Sequence, residues 1–170
     1  MSYDDQQSFL PGSTSLFHAH TPMILEVIAL QQAYGEGTGT SGIGDDTITP
    51  GTAGYRTYFD EGGIDSIDLS LYTDGAYLQM GADIGGAPHM VGVAMSLYDG
   101  SYTIKSGGSP AHLRWFYGEY ERASGGSSAD FIIGNSLDNV IRGQAGDDRV
   151  LGADGNDDLA GGAGNDALEG

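Results

Sequence analysis

The chain has no cysteine, and only 6 of its 170 residues are lysine or arginine. Without cysteine there are no disulfides, so a small fold in an oxidising compartment must be held by something else, and a bound metal is the usual substitute. The 24 acidic residues leave a net charge of −18. That balance speaks against nucleic acids and anionic membranes as partners, because both require basic patches. No apolar run approaches the roughly 18 residues of a membrane-spanning helix, so no membrane insertion is expected. The first residues show neither the basic nor the apolar region of a cleavable leader, and no lipid-attachment motif is present.

What the chain does have is glycine, 30 residues of it, and toward the C-terminus the glycines are periodic. Reading backwards in nines gives GGSSADFII (125–133), GNSLDNVIR (134–142), GQAGDDRVL (143–151), GADGNDDLA (152–160) and GGAGNDALE (161–169). Position 1 is always glycine. Position 6 is Asp130, Asn139, Asp148, Asp157 and Asp166, and position 8 is always aliphatic. A flexible Gly/Asp linker would share this composition, but it has no reason to keep an aliphatic residue at one phase. Glycine at positions 1 and 4 permits positive φ and lets backbone carbonyls fold inward without a Cβ clash. Carbonyls of that kind, here those of Gly143, Ala145, Gly152, Gly161 and Ala163, combine with the position-6 groups into a hard oxygen cage suited to Ca²⁺.

The last three residues of each unit predict a short strand whose middle side chain points inward. Successive units would then form the two sides of a flattened coil, with 18 residues per turn. Position 6 would lie over position 6 two units on: Asp130 with Asp148, Asp148 with Asp166, Asn139 with Asp157. Asp148 is thereby expected to bridge two ions. The units resemble the nonapeptide G-G-x-G-x-D-x-U-x of RTX proteins, weakly in the first two, where Ser128 and Leu137 replace the position-4 glycine. Without cation the carboxylates repel and the glycines are costly to order, so binding is expected to be folding.

Upstream, TPMILEVIALQQAYG (21–35) predicts one N-terminal α-helix, with Thr21 as N-cap, Pro22 at its first position and Gly35 beyond its end. Residues 36–124 read as a mixed β region, with strand-forming stretches in TYFDEGG, SIDLSLY, AYLQM, MVGVAMSLY, SYTIK and LRWFYGEY. GIGDDTI (42–48), with Asp46, and GGIDSIDLS (62–70), with Asp65, read either as calcium half-sites or as ordinary Gly-Asp turns. The outward positions Phe131, Ile133 and Val140 would be an unusual exposed patch, so residues 36–124 are expected to cover the first coil, with Trp115, Phe116 and Tyr117 foremost. The fold class is mainly β: a calcium-binding parallel β-roll behind a mixed β region and one helix.

PMILEVIALQQAYG, FDEGGIDSIDLS and EYERASGGSSADFIIGN, in that order, make the chain similar to the serralysins, secreted zinc metalloproteases with a C-terminal RTX roll. The similarity runs the length of the chain and is sparser between about 70 and 115. It implies calcium ligation by Asp60, Gly62, Gly63, Asp65 and Glu121. Glu119 and Arg122 depart from the threonine and asparagine usual in that family. MSYDDQQ resembles the family's Met-turn, with Met1 as its methionine and Tyr3 as the tyrosine near the zinc. The zinc helix H-E-x-x-H is not in this sequence: none of His18, His20, His89 and His112 is followed by that pattern. Zn²⁺ therefore belongs only to a full-length parent, and no catalysis is expected of the chain itself. The HAH pair, His18 and His20, reads as a metal chelate or, more simply, as a loop pair.

The resemblance divides the chain into a protease remnant (1–35), a calcium-associated β region (36–124) and a truncated roll (125–170). It implies an extracellular location, several Ca²⁺ ions and passage through type I secretion machinery. A stand-alone calcium-binding RTX protein, or a segment of an adhesin or toxin, is the alternative. Starting at the Met-turn and stopping in a sixth unit, the sequence reads as a fragment.

Overall fold

The computed structural model describes residues 44–52, 54–60, 62–82, 90–95 and 112–170. The helix expected at 21–35, the Met-turn stretch, His18, His20, His89 and the SYTIK stretch lie outside the described residues.

The described residues form β1 (Thr47–Ile48), β2 (Gly54–Phe59), β3 (Ser66–Asp68), β4 (Tyr77–Ala82), β5 (Val91–Met95) and β6 (His112–Tyr117). They continue through β7 (Arg122–Ser124), β8 (Phe131–Ile133), β9 (Val140–Ala145), β10 (Arg149–Leu151), β11 (Asp158–Ala163) and β12 (Ala167–Glu169). Most strands of the repeats are three residues long because each nonapeptide supplies only three between its glycine-rich turns. In β8 and β10 the middle residue is buried and its two neighbours half-buried, as the alternation of strand side chains requires.

One sheet has the order β1-β3-β7-β9-β11 and the other β12-β10-β8-β4-β5-β6-β2. The first sheet is parallel throughout. In the second, β4–β5 and β5–β6 are antiparallel and every other pair is parallel. From β7 onward the chain alternates between the sheets, and each strand pairs with the one 18 residues away: Arg122 with Val140, Phe131 with Arg149, Val140 with Asp158, Arg149 with Ala167. Strands β1, β3 and β4 continue the same two ladders, while β2 pairs with β6 at the far edge of the second sheet. Ser66 pairs with Arg122 and Tyr77 with Phe131, so the segment between β4 and β7 is an insertion that adds β5 and β6 to the second sheet.

The sheets share one core. Ile67, Ala123 and Ile141 come from the first sheet, and Leu78, Met80, Phe116, Ile132 and Val150 from the second. The position-8 residues Ile132, Ile141 and Val150 are fully buried, Leu159 is partly buried, and Leu168 is 47% exposed. One inward aliphatic contributes about 1.5–3 kcal/mol, whereas ordering each backbone residue costs about 1–2 kcal/mol. Apolar burial alone therefore does not hold a nine-residue unit.

The covering expected from Trp115, Phe116 and Tyr117 takes a different form. These residues extend the second sheet sideways: Phe116 faces the core and stacks on Tyr58 at 5.5 Å, while Tyr117 stacks on Phe59 at 5.3 Å. Phe131 instead meets Tyr77 edge-on at 5.6 Å, with the Arg149 guanidinium 5.2 Å from its ring centre.

Candidate metal centre

The residue just before each strand lies at an edge of the sheets, and the two ladders stack these residues into two rows. Along the first sheet the row is Asp46, Asp65, Glu121, Asn139, Asp157; along the second it is Ala76, Asp130, Asp148, Asp166. One link recurs in both rows: a side-chain oxygen accepts the backbone N–H of the row member before it, except that the Glu121 N–H turns back to the Asp65 carbonyl at 3.2 Å. The Asp46 N–H donates to Asp65 Oδ1 at 2.8 Å and that of Asp65 to Glu121 Oε2 at 2.8 Å. The Asn139 N–H donates to Asp157 Oδ1 at 2.9 Å. In the other row the N–H groups of Ala76, Asp130 and Asp148 donate to Oδ1 of Asp130, Asp148 and Asp166 at 2.7, 2.7 and 3.0 Å. The expected pairs Asp130/Asp148, Asp148/Asp166 and Asn139/Asp157 are thus brought together. Asp148 Oδ1 accepts the Asp130 N–H, while its Oδ2 has no hydrogen-bond partner.

One side-chain oxygen of each of these position-6 residues faces a glycine. A methyl group built on Gly143 would lie closer than 3.0 Å to Asp148 Oδ2 and to the Gly161 carbonyl oxygen. On Gly125 it would strike Asp130 Oδ2 and the Gly143 carbonyl, and on Gly134 the Asn139 Oδ1 and the Gly152 carbonyl. Glycine at position 1 is what allows a carboxylate and a carbonyl two units on to converge. Two of the carboxylate oxygens, Asp65 Oδ2 and Asp148 Oδ2, are buried and have no hydrogen-bond partner. A buried acceptor without a donor is costly, and a hard cation satisfies such an oxygen. The residues present therefore fit Ca²⁺.

The densest group is at the head of the first row. Asp46, Asp60 and Asp65 each offer an oxygen, all within 4.8 Å of one another. Asp60 and Asp65 are 2% and 1% exposed. Gly62 and Gly63 both have φ of 137°, and the Gly62 N–H bonds Asp60 Oδ2 at 3.0 Å. Burial, then the hydrogen bond and repulsion from Asp65, pushes the Asp60 carboxyl up to about 7. Burial also raises Glu121 and lifts Asp130 to about 6. Asp148 is raised by burial, then by repulsion from Asp166 and Asp147, against the lowering effect of the Asp130 N–H. Tyr120, fully buried beside this group, is raised by burial and by Asp60, Asp65 and Asp46. Burial and mutual repulsion make the charged forms of these carboxyls costly without a cation beside them.

Among the carbonyls expected as ligands, those of Gly143, Gly152 and Gly161 stand where a preceding unit presents its position-6 oxygen. The Ala163 carbonyl accepts the Gly146 N–H at 2.9 Å, and Ala145 pairs with Ala163 at the ends of β9 and β11. These two alanines extend the ladder between coils. Their role as ligands rests on the sequence alone.

Sequence reasoning missed two features. Ala76 occupies a place in the second row without any carboxylate, so no motif marks it. Position 5 forms a further ladder: Asp138 Oδ1 accepts the Asn156 N–H at 2.8 Å, and Asp147 Oδ1 that of Asn165 at 2.8 Å. The recurring Asp or Asn at that phase was the available signal.

No curated protein matches the chain. Residues 133–168 match the family model of the RTX calcium-binding nonapeptide repeat, which counts 4 copies. This part of the chain carries RTX calcium-binding repeats.

Proposed function

We propose that the chain is the calcium-binding β-roll module of a serralysin-like secreted metalloprotease, and that Ca²⁺ completes its fold outside the cell. The observation that carries this reading is the unpartnered, buried Oδ2 of Asp148, set against Gly143 and the Gly161 carbonyl in an 18-residue stack. Asp130, Asp148, Asp157 and Asp166 would hold ions along the coils, with carbonyls of Gly143, Gly152 and Gly161. Asp46, Asp60, Asp65 and Glu121 would hold an ion at the head, with Gly62 and Gly63 shaping the turn. The bound cation supplies the positive charge that these buried carboxylates lack. Low cytosolic calcium would keep the last three repeats unfolded for a type I exporter, and extracellular modules of this kind bind at about 10⁻⁴–10⁻³ M.

The sequence offers no H-E-x-x-H, and a zinc protease needs its metal-bound water and general base, so the chain itself is proposed to be non-catalytic. Isothermal titration calorimetry with Ca²⁺ and with Mg²⁺, beside a casein assay with added Zn²⁺, tests both parts. Saturable heat with Ca²⁺ alone and no cleavage is the expected outcome. Equal binding of both ions would overturn the calcium assignment, and Zn²⁺-dependent cleavage would overturn the non-catalytic one.

A further inference from the structure

The five repeats are built on two different turns. In the last three, position 2 is Gln144, Ala153 or Gly162, with φ of 80°, 77° and 112°, and position 4 is Gly146, Gly155 or Gly164, with φ of 129°, 121° and 142°. In the first two, Gly126 and Asn135 at position 2 and Ser128 and Leu137 at position 4 have no positive φ. A side chain at position 4 disfavours the left-handed turn, and here the position-2 N–H bonds the unit's own position-6 side chain. The Gly126 N–H reaches Asp130 Oδ2 at 2.6 Å, and the Asn135 N–H reaches Asn139 Oδ1 at 2.8 Å.

The second unit goes further. Asn139 Nδ2 donates to Asn135 Oδ1 at 3.0 Å, the same oxygen accepts the Leu137 N–H at 3.0 Å, and Asn135 Nδ2 donates to the Tyr120 carbonyl at 2.8 Å. The two asparagines are 3% and 1% exposed, and every polar side-chain atom of the pair has a protein partner. In the third unit, by contrast, Asp148 Oδ2 has none. Asn139 also places a neutral residue between Glu121 and Asp157 in the first row. It does so in the turn before β9, where the regular repeats meet the strands upstream.

We infer that Asn135 and Asn139 form a metal-free staple that holds the first two repeats closed without cation, so that within the repeats calcium-driven ordering begins at Gly143 and runs toward the C-terminus. The inference rests on the calcium reading above. The asparagines replace a cation because an amide brings its own donor: Nδ2 supplies the positive end that a carboxylate must take from a metal. The stapled turn then presents β8 and β9 as preformed edges on which β10 and β11 pair once the later carboxylates are neutralised.

Hydrogen exchange of the full chain, in chelator and in calcium, tests this. In chelator, the N–H groups of Gly126, Asn135 and Leu137 should be protected by roughly tenfold or more over an unfolded chain. Those of Gly146, Asn165 and Ala167 should be protected only with Ca²⁺. Asn139→Asp, which removes the donor and adds a buried charge, should abolish the protection of the first two repeats in chelator and recover it in calcium. Unprotected amides of the first two repeats in wild type, with a tail that responds to Ca²⁺, would overturn the staple, as would unchanged protection in Asn139→Asp. A wild-type tail equally protected in both conditions would overturn the calcium reading beneath it.

Discussion

Asp148 shows how one carboxylate does two jobs. Oδ1 clips the coil above by accepting the Asp130 N–H at 2.7 Å, and Oδ2 is buried with no protein partner. The two roles separate by substitution. Asp148→Asn keeps a carbonyl oxygen for the clip and removes the charge, so the calcium midpoint should rise while the calcium-saturated fold survives. Asp148→Ala loses both, and should raise the midpoint by roughly tenfold or more, since each 1.4 kcal/mol is a factor of ten. Asp166→Ala should have a smaller effect, because the strand that follows Asp166 is exposed at all three positions. Calcium titrations of the three variants by circular dichroism check the order; equal midpoints for all three would contradict the separate roles.

At the scale of the element, the turns decide which units depend on left-handed backbone. Gly146 has φ of 129°, and a Cβ there would press on the Ser128 backbone. Gly146→Ala should cost about 1–3 kcal/mol in calcium, read by denaturant unfolding. The opposite case is Ala153, a non-glycine at φ of 77°. Ala153→Gly should stabilise the calcium-bound form by up to about 1 kcal/mol, since relief of left-handed strain exceeds the added freedom of the unfolded chain. A loss of stability at Ala153→Gly would show that the strain is not there.

Periodicity makes the later coils legible in the sequence itself. A glycine, an acid and an aliphatic at fixed phases dictate the 18-residue register and the inward set Ile132, Ile141 and Val150. The same rule fails upstream for a physical reason. There the steps between stacked residues are irregular, from Thr47 to Ser66 and then to Arg122, the second of them long because β5 and β6 are spliced between β4 and β7. Ala76 carries no ligand to betray its place. Asp46 and Asp65 are visible as possible half-sites and the resemblance adds Asp60, but only the fold gathers the three within 4.8 Å of one another. In the sequence Asn139 resembles a weakened acid, because the donor that makes it a staple has no meaning until Asn135 is placed beside it.

For the molecule as a whole, two sheets and one core are shared by the upstream strands and the repeats, yet the core thins along the coils, from a fully buried Ile132 to a Leu168 that is 47% exposed. Where apolar burial fades, stability has to come from the carboxylate rows and their cations, so removing metal should unfold the last coils first. The central claim is that Ca²⁺ completes this fold. A calcium titration of the chelator-treated chain, followed by far-ultraviolet circular dichroism with Mg²⁺ as the control ion, tests it most directly. A cooperative gain of β signal at roughly 10⁻⁴–10⁻³ M Ca²⁺, and none with Mg²⁺ at the same concentrations, is the expected result. An identical β spectrum in chelator and in millimolar Ca²⁺ would contradict it.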